Sequence, residues 1–291
     1  MNSSIVYCFC SRFPSCYLSS RLFFVVLAAL LGHLPFAAQA AETPLTVDDL
    51  MAIESVRDPQ VSPDGQWVAY SVRRMDEDED NRLTQIWMVS SQGGKAIPMT
   101  AGDSSASRPR WSPDNRYLSF TASRGENGKT QVYTLDRRGG EAVQVTSILQ
   151  GVSGYEWSPD GKRLLLVLQD PTPAQLTEET EAADKPLPHV IDRIQFKRDY
   201  TGYLDRRRDH LYVYTPGEDK PEQLTTGDFD ASDPAWSPDG QHIAFVSDRS
   251  ASPDSYYGRN IWTVAANDEN HPLTKISADE GTARSPAWSP D

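Results

Sequence analysis

The sequence predicts an all-β fold: a β-propeller of four-stranded blades, with four complete units and the start of a fifth in an incomplete ring. Three observations predict it. One short phrase occurs five times, as Val61-Ser62-Pro63-Asp64-Gly65, Trp111-Ser112-Pro113-Asp114-Asn115, Trp157-Ser158-Pro159-Asp160-Gly161, Trp236-Ser237-Pro238-Asp239-Gly240 and Trp288-Ser289-Pro290-Asp291. An alternating apolar run follows each of the first four copies. The copies also recur at the interval of a propeller blade.

The phrase is a turn with a mechanism. Ser can bond its own backbone, Pro presets φ at the second position, Asp tolerates the third, and Gly closes the fourth. After the turn, Val68 and Tyr70, Leu118 and Phe120, Leu164 and Leu166, and Ile243 and Phe245 occupy equivalent places. Ala69, Ser119 and Ala244 separate three of these pairs, which is the period of a strand with one bulky face. A further strand follows at Ile86–Val89, Val132–Leu135, Leu211–Tyr214 and Ile261–Val264, rich in β-branched and aromatic residues. A last short strand ends at Thr100, Thr146, Thr225 and Thr274.

The spacing is regular. From the start of the second run to that Thr the count is 14, 14, 14 and 13, and from the Thr to the next Trp it is 11, 11, 11 and 14. Turn-to-turn distances of 50, 46, 79 and 52 residues place one insertion, residues 169–209, inside the third unit. The recurring Trp111, Trp157, Trp236 and Trp288 read as core between blades. Turn chemistry likewise accounts for the aspartates without a carboxylate ring.

Before the repeats, Leu22–Leu31 is an apolar run preceded by Arg12 and Arg21 and followed by Ala38-Gln39-Ala40. That is the pattern of a secretory signal over residues 1–40, with cleavage expected after Ala40. The mature chain is then expected in the periplasm or outside the cell, without stable membrane association. All three cysteines, Cys8, Cys10 and Cys16, fall in the leader, so neither a disulfide framework nor a Cys metal site is expected after cleavage. Residues 44–56, within a 41–56 segment, read as a short amphipathic helix, with Thr46 and Asp49 approximating a capping box and Leu50, Ile53 and Val56 on one face. The propeller is expected over 57–291.

The net charge is −13, from 28 basic and 41 acidic side chains. Arg12 and Arg21 have no acid beside them in the leader, so residues 41–291 carry −15. Such a balance disfavours nucleic acid and anionic membranes as partners. The run Asp76–Asp80 reads as a solvated loop rather than a calcium site, because backbone-carbonyl positions do not interleave the acids. His189, His210, His242 and His271 have no ligand-spaced partner. Gly151-Val-Ser-Gly-Tyr155 lacks the final glycine of a nucleophile elbow, and neither a P-loop nor a dinucleotide fingerprint occurs. No catalytic, cofactor-binding or metal residue can be named.

The insertion opens as a polar, acidic stretch, Pro171–Pro186, and continues as Val190-Ile-Asp-Arg-Ile-Gln-Phe-Lys-Arg-Asp199 and Gly202-Tyr-Leu204. With the helix, the phrase Arg57-Asp-Pro-Gln-Val-Ser-Pro-Asp-Gly65 and the WSPDG blades, it resembles the N-terminal propeller of prolyl oligopeptidase family (S9) serine peptidases, nearest the acylaminoacyl-peptidase and dipeptidyl-aminopeptidase-like branch. The resemblance covers about residues 44–291. It implies a propeller that restricts substrate access to a C-terminal α/β-hydrolase domain, which carries a Ser, Asp and His triad and needs no cofactor. Peptide substrates would be met through that domain. None of the triad positions exists in this sequence, so the chain is expected to be inactive alone and part of a longer gene product. TolB-like propellers share the WSPDG blades, and a non-catalytic periplasmic scaffold is the competing expectation. The short span between Ala40 and the first turn leaves no room for the separate domain that TolB proteins carry there.

Overall fold

The computed structural model describes residues 44–76, 80–124, 128–172, 175–176, 190–251, 258–268, 270–278 and 281–290. The leader, its three cysteines, His189, Asp291 and most of the acidic start of the insertion lie outside the described residues.

From residue 47 on, four antiparallel four-stranded sheets follow one another. The first holds β1 (Ser55–Val61), β2 (Trp67–Asp76), β3 (Asn81–Ser90) and β4 (Ile97–Pro98) in that order. The second holds β5 (Ala106–Trp111), β6 (Tyr117–Ala122), β7 (Gln131–Asp136) and β8 (Val143–Gln144). The third begins with β9 (Gly154–Trp157) and β10 (Leu164–Gln169). A two-stranded hairpin then intervenes, β11 (Lys197–Arg198) with β12 (Gly202–Tyr203), before β13 (Asp209–Tyr214) and β14 (Glu222–Gln223) complete the sheet. The fourth holds β15 (Ser232–Trp236), β16 (His242–Ser247), β17 (Asn260–Ala265) and β18 (Leu273–Lys275). Each sheet is one blade, and the first strands of successive blades, β1, β5, β9 and β15, adjoin one another. This is the propeller that the repeats predict.

The turn forms as the residue order dictates. The carbonyls of Ser62, Ser112, Ser158 and Ser237 each accept the N–H three residues on, at 2.8–2.9 Å. The fourth position has positive φ, 69° at Gly65, 60° at Asn115, 69° at Gly161 and 67° at Gly240, which glycine and asparagine tolerate best. Each Ser hydroxyl donates to the Asp two residues on at 2.5 Å and accepts the N–H five residues on at 2.8–2.9 Å. Successive turns also touch. A Cβ on Gly161 would lie 3.5 Å from the Pro113 ring, and one on Gly240 would lie 3.6 Å from the Pro159 ring.

The core lies between blades, in three layers. Leu118 and Phe120 face Ile86 and Met88 across the first interface. Leu164, Leu166 and Leu168 of β10 join Val132 and Tyr155 at the second, whereas Leu165 and Val167 join Phe245 and Trp236 at the third. Successive side chains of β10 thus serve opposite neighbours, and the strand is apolar from Leu164 to Leu168 because both of its faces are covered.

A buried couple closes each blade. Thr100 accepts the Ile86 N–H at 2.9 Å and donates to Gln85 Oε1 at 2.5 Å, and Thr146 does the same with Val132 and Gln131. Thr225 accepts the Leu211 N–H beside His210. In blade four, however, Ser277 rather than Thr274 plays this part, bonding the Ile261 N–H and Asn260. The expected equivalence of Thr274 is therefore corrected: it lies in β18, three residues early, so that Ser277 restores the count of 11 to Trp288 while the count from Ile261 becomes 16, two residues longer than in the other blades.

The N-terminal helix is shorter than residues 44–56. Helix α1 spans Val47–Met51, and Val56 belongs to β1, where it pairs with Val72. The physical reason is the lack of a covered face, since Val47, Leu50, Ile53 and Val56 are all exposed.

Candidate functional site

Strand direction sorts the connections onto two ends. Each inner strand runs towards its Ser-Pro-Asp turn, so all four turns crowd one end of the blades. The β2–β3, β6–β7, β10–β13 and β16–β17 connections leave from the other. The insertion is the β10–β13 connection. It therefore emerges beside the start of β9, where Val167 pairs with Gly154 and Gln169 with Asp209.

At that end the inner strands bulge. Asp58, Arg108, Asp233 and Ser285 have φ of 49°, 54°, 47° and 50°, and each precedes a proline, Pro59, Pro109, Pro234 and Pro286. The β1–β2, β5–β6 and β15–β16 ladders slip register at these places. Proline cannot donate to a ladder, so it falls naturally at a bulge, and the bulge turns the preceding side chain off the regular pleat. Blade three is the exception. It has Gly154-Tyr155 instead, and its β9–β10 ladder is unbroken. Backbone outliers of this kind concentrate where function constrains the chain.

Arg108, Asp233 and Ser285 of these bulges, with Gly154 and Tyr155, line a cavity of about 420 Å³ between the inner strands. Arg110, Glu156, Asp209 and Asp233 supply its charge, with Arg108 and Ser153 on one side. Arg110 donates to Asp58 at 2.8 Å, tying blade two to blade one. Glu156 is half-buried, and burial raises its pKa to about 7 against the counter-pull of Arg110 and of the Trp236 backbone N–H. Burial, then the Asp230 carboxylate, also raises Asp209 above the usual carboxylate range, while Arg198 of the hairpin and Arg207 pull it back. The hairpin arginines thus act electrostatically on a residue of the cavity wall.

The hairpin itself turns at Tyr200 and Gly202, both with positive φ. It is closed by the Leu204 N–H on the Phe196 carbonyl at 2.9 Å, and the Phe196 and Tyr203 rings stand 6.5 Å apart. At its base Arg208 bonds Asp228 and Asp230 at 2.9 and 3.2 Å, and Asp170 accepts the Arg208 N–H at 3.0 Å.

The features weighed from sequence separate cleanly. The turn aspartates sit at the end remote from the cavity, each held by its own Ser. His210 is buried, with Nε2 3.6 Å from Asp170, so it belongs to the blade-closing couple, and burial lowers its pKa. His271 stands 3.4 Å from Glu222 at the surface of β14. Among the described residues no group of His, Cys, Asp or Glu could hold a metal ion. The elbow-like stretch 151–155 does reach the cavity, but among the described residues no His or carboxylate is bonded to Ser153. The cavity residues were not visible as a set because their positions repeat but their residue types do not: Arg110, Glu156 and Ala235 each precede a motif Trp. Their one sequence signal is the Xaa-Pro three residues before the turn serine, present in every unit but the third.

Two kinds of comparison place this geometry. Residues 51–185 match the PD40 family, the TolB beta propeller domain. The uncharacterized peptidase YuxL of Bacillus subtilis (strain 168) is 32% identical over 221 residues, 76% of this chain and 34% of that one. The chain thus spans about a third of the length of the curated relative it matches. Among solved structures, the Pyrococcus horikoshii acylaminoacyl peptidase superposes with a TM-score of 0.58 at 18% identity, over 79% of this chain and 33% of that one. A Mycobacterium tuberculosis puromycin-hydrolyzing peptidase gives 0.55 at 17% identity, over 84% and 36%. The chain has the β-propeller fold, its residues 51–185 match the PD40 model, and over three quarters of its length it is similar to an uncharacterized peptidase.

Proposed function

We propose that this chain is the substrate-gating propeller of an exported S9 serine peptidase, with peptide hydrolysis carried out by an α/β-hydrolase part outside these 291 residues. The observation that carries the reading is the placement of the insertion. It rises at the cavity end of the blades, and its Arg198, with Arg207 at its foot, acts on Asp209 in the cavity wall. A cavity of about 420 Å³ takes a short peptide segment and excludes a folded protein. The peptidase relative supports peptide hydrolysis as the reaction class, and in an S9 enzyme that reaction would be acyl transfer to a Ser with His as base. The leader pattern over residues 1–40 supports export to the periplasm or beyond.

The PD40 match, a TolB-type domain, favours a second reading, a non-catalytic periplasmic scaffold that binds other proteins. A fluorogenic peptide assay on the complete gene product separates the two. Cleavage abolished by a serine-reactive inhibitor is expected. A complete product that binds proteins but leaves every peptide intact would favour the scaffold. Residues 1–291 alone are expected to cleave nothing, and turnover by them would contradict both readings.

A further inference from the structure

A second cavity, of about 490 Å³, opens between blades two and three at the insertion end. Arg108 and Lys129 line it together with the hydroxyl residues Ser107, Thr121, Thr130 and Ser153. No carboxylate lines it among the described residues, in a chain where acids outnumber bases 41 to 28. Neither Arg108 nor Lys129 has an ion-pair partner among the described residues. The wall is fixed by backbone rather than by long side chains. Val152 donates its N–H to the Thr130 carbonyl at 2.8 Å, joining the two blades. Gly151, at φ +86°, has no room for a side chain, since a Cβ would stand 3.3 Å from the Thr130 carbonyl oxygen. Arg108 reaches across to blade three, where its Nη1 lies 3.6 Å from where a Gly154 Cβ would be.

Two unpaired cations among hydroxyl groups and backbone make a site for an oxyanion, because a planar guanidinium and an ammonium both donate strongly to carboxylate oxygens. Arg108 and Ser153 also line the cavity between the inner strands, so the two spaces share that wall. We propose that this inter-blade cavity binds the free C-terminal carboxylate of a short peptide, held by Arg108 and Lys129. The choice of a peptide over another carboxylate rests on the gating reading above. The site itself does not.

Calorimetric titration of the full chain tests the proposal without hydrolysis. The probes are N-acetyl-trialanine with a free carboxylate, its C-terminal amide, and inorganic phosphate. The acid is expected to bind about tenfold or more tightly than the amide, the ratio that one charge-assisted hydrogen bond supplies. Arg108→Gln and Lys129→Gln should each weaken the acid and leave the amide unchanged. Circular dichroism checks that both variants fold, and Lys129→Gln, on an exposed loop, serves if Arg108→Gln does not. Equal affinities for acid and amide, no binding of either, or binding indifferent to a folded variant overturns the proposal. Phosphate binding without binding of the peptide acid also overturns it. Failure here leaves inhibitor-sensitive cleavage by the complete product untouched, so the two readings fail separately.

Discussion

The indole N–H of Trp157 donates to the hydroxyl of Ser119 at 2.8 Å, and Ser119 donates in turn to the Arg110 carbonyl at 2.9 Å. Elsewhere the same position of the next blade's Trp reaches the inner-strand carbonyl directly. Trp111 donates to Gln60 and Trp288 to Ala235, both at 2.9 Å, across from Ala69 and Ala244. The small residue after each turn leaves room for this bond between blades. Ser119 is fully buried and also lies 2.8 Å from the Tyr155 hydroxyl. Ser119→Ala should therefore cost about 1 kcal/mol, the net worth of the buried hydroxyl that links Trp157, Tyr155 and the Arg110 carbonyl, measured by urea unfolding. A loss below about 0.5 kcal/mol, within the range of surface changes, would contradict this role.

Blade three breaks the rule. Leu165 stands opposite Glu156 where the other blades have Ala or Ser, and the buried Trp236 Nε1 has no acceptor. Trp111→Phe removes packing and a hydrogen bond, whereas Trp236→Phe removes packing and an orphaned donor. The first should cost more than the second by about 1 kcal/mol. Equal costs would show that the indole bonds contribute nothing.

Acid should loosen the turns. Asp64 is held at about 2, below its ordinary 3.8, by the Ser62 hydroxyl first, then the Gln66 N–H, with the Asn115 amide and Arg137 adding to it. Asp114, Asp160 and Asp239 are lowered in the same way, each chiefly by its own Ser. A lowered carboxylate gives stability that is present above the unfolded value and lost as pH falls through the folded one. Unfolding free energy should thus fall between about pH 4 and pH 2. Asp64→Asn should flatten that limb, and an unchanged slope would contradict the assignment.

Glu156 has the opposite sign. Its folded pKa of about 7 lies above the ordinary 4.5, so the folded chain retains a proton that the unfolded chain releases. Stability attributable to Glu156 then declines as pH rises from 4.5 to 7 and stays flat beyond. Glu156→Gln should match the parent near pH 4 and exceed it at pH 8, read from unfolding midpoints. A variant less stable at pH 8 would mean that the carboxylate, paired with Arg110, supports the blades instead.

The architecture was legible because each blade repeats a local instruction. Ser-Pro-Asp-Gly sets its own hydrogen bonds within six residues, and the alternation after it declares a buried strand. Even the small residues Ala69, Ser119 and Ala244 were visible, although their purpose depends on a Trp more than 35 residues away. The cavity was not legible. Arg110, Glu156, Asp209 and Asp233 come from three blades; Arg110 and Glu156 share the place before the motif Trp but carry opposite charge, and the φ of Asp58 or Arg108 is fixed by a register slip that the following proline accompanies but does not specify. The helix was overextended for a related reason. Leu50, Ile53 and Val56 have helical spacing, but nothing covers that face, while pairing with Val72 fixes Val56 in a strand. The Thr274 slip shows a different limit, since Ser277 keeps the distance of 11 to Trp288 but changes the residue type, while a Thr stands three residues before it.

The central claim is that the insertion controls access to a peptidase. Replacing residues 190–204 by a short Gly-Ser linker in the complete gene product tests it most directly, with cleavage of a fluorogenic tripeptide and of an unfolded protein compared by kcat/KM. The gating account predicts little change for the tripeptide and a rise for the unfolded protein. If both substrates respond alike, or the protein substrate is cleaved no faster, the hairpin does not gate.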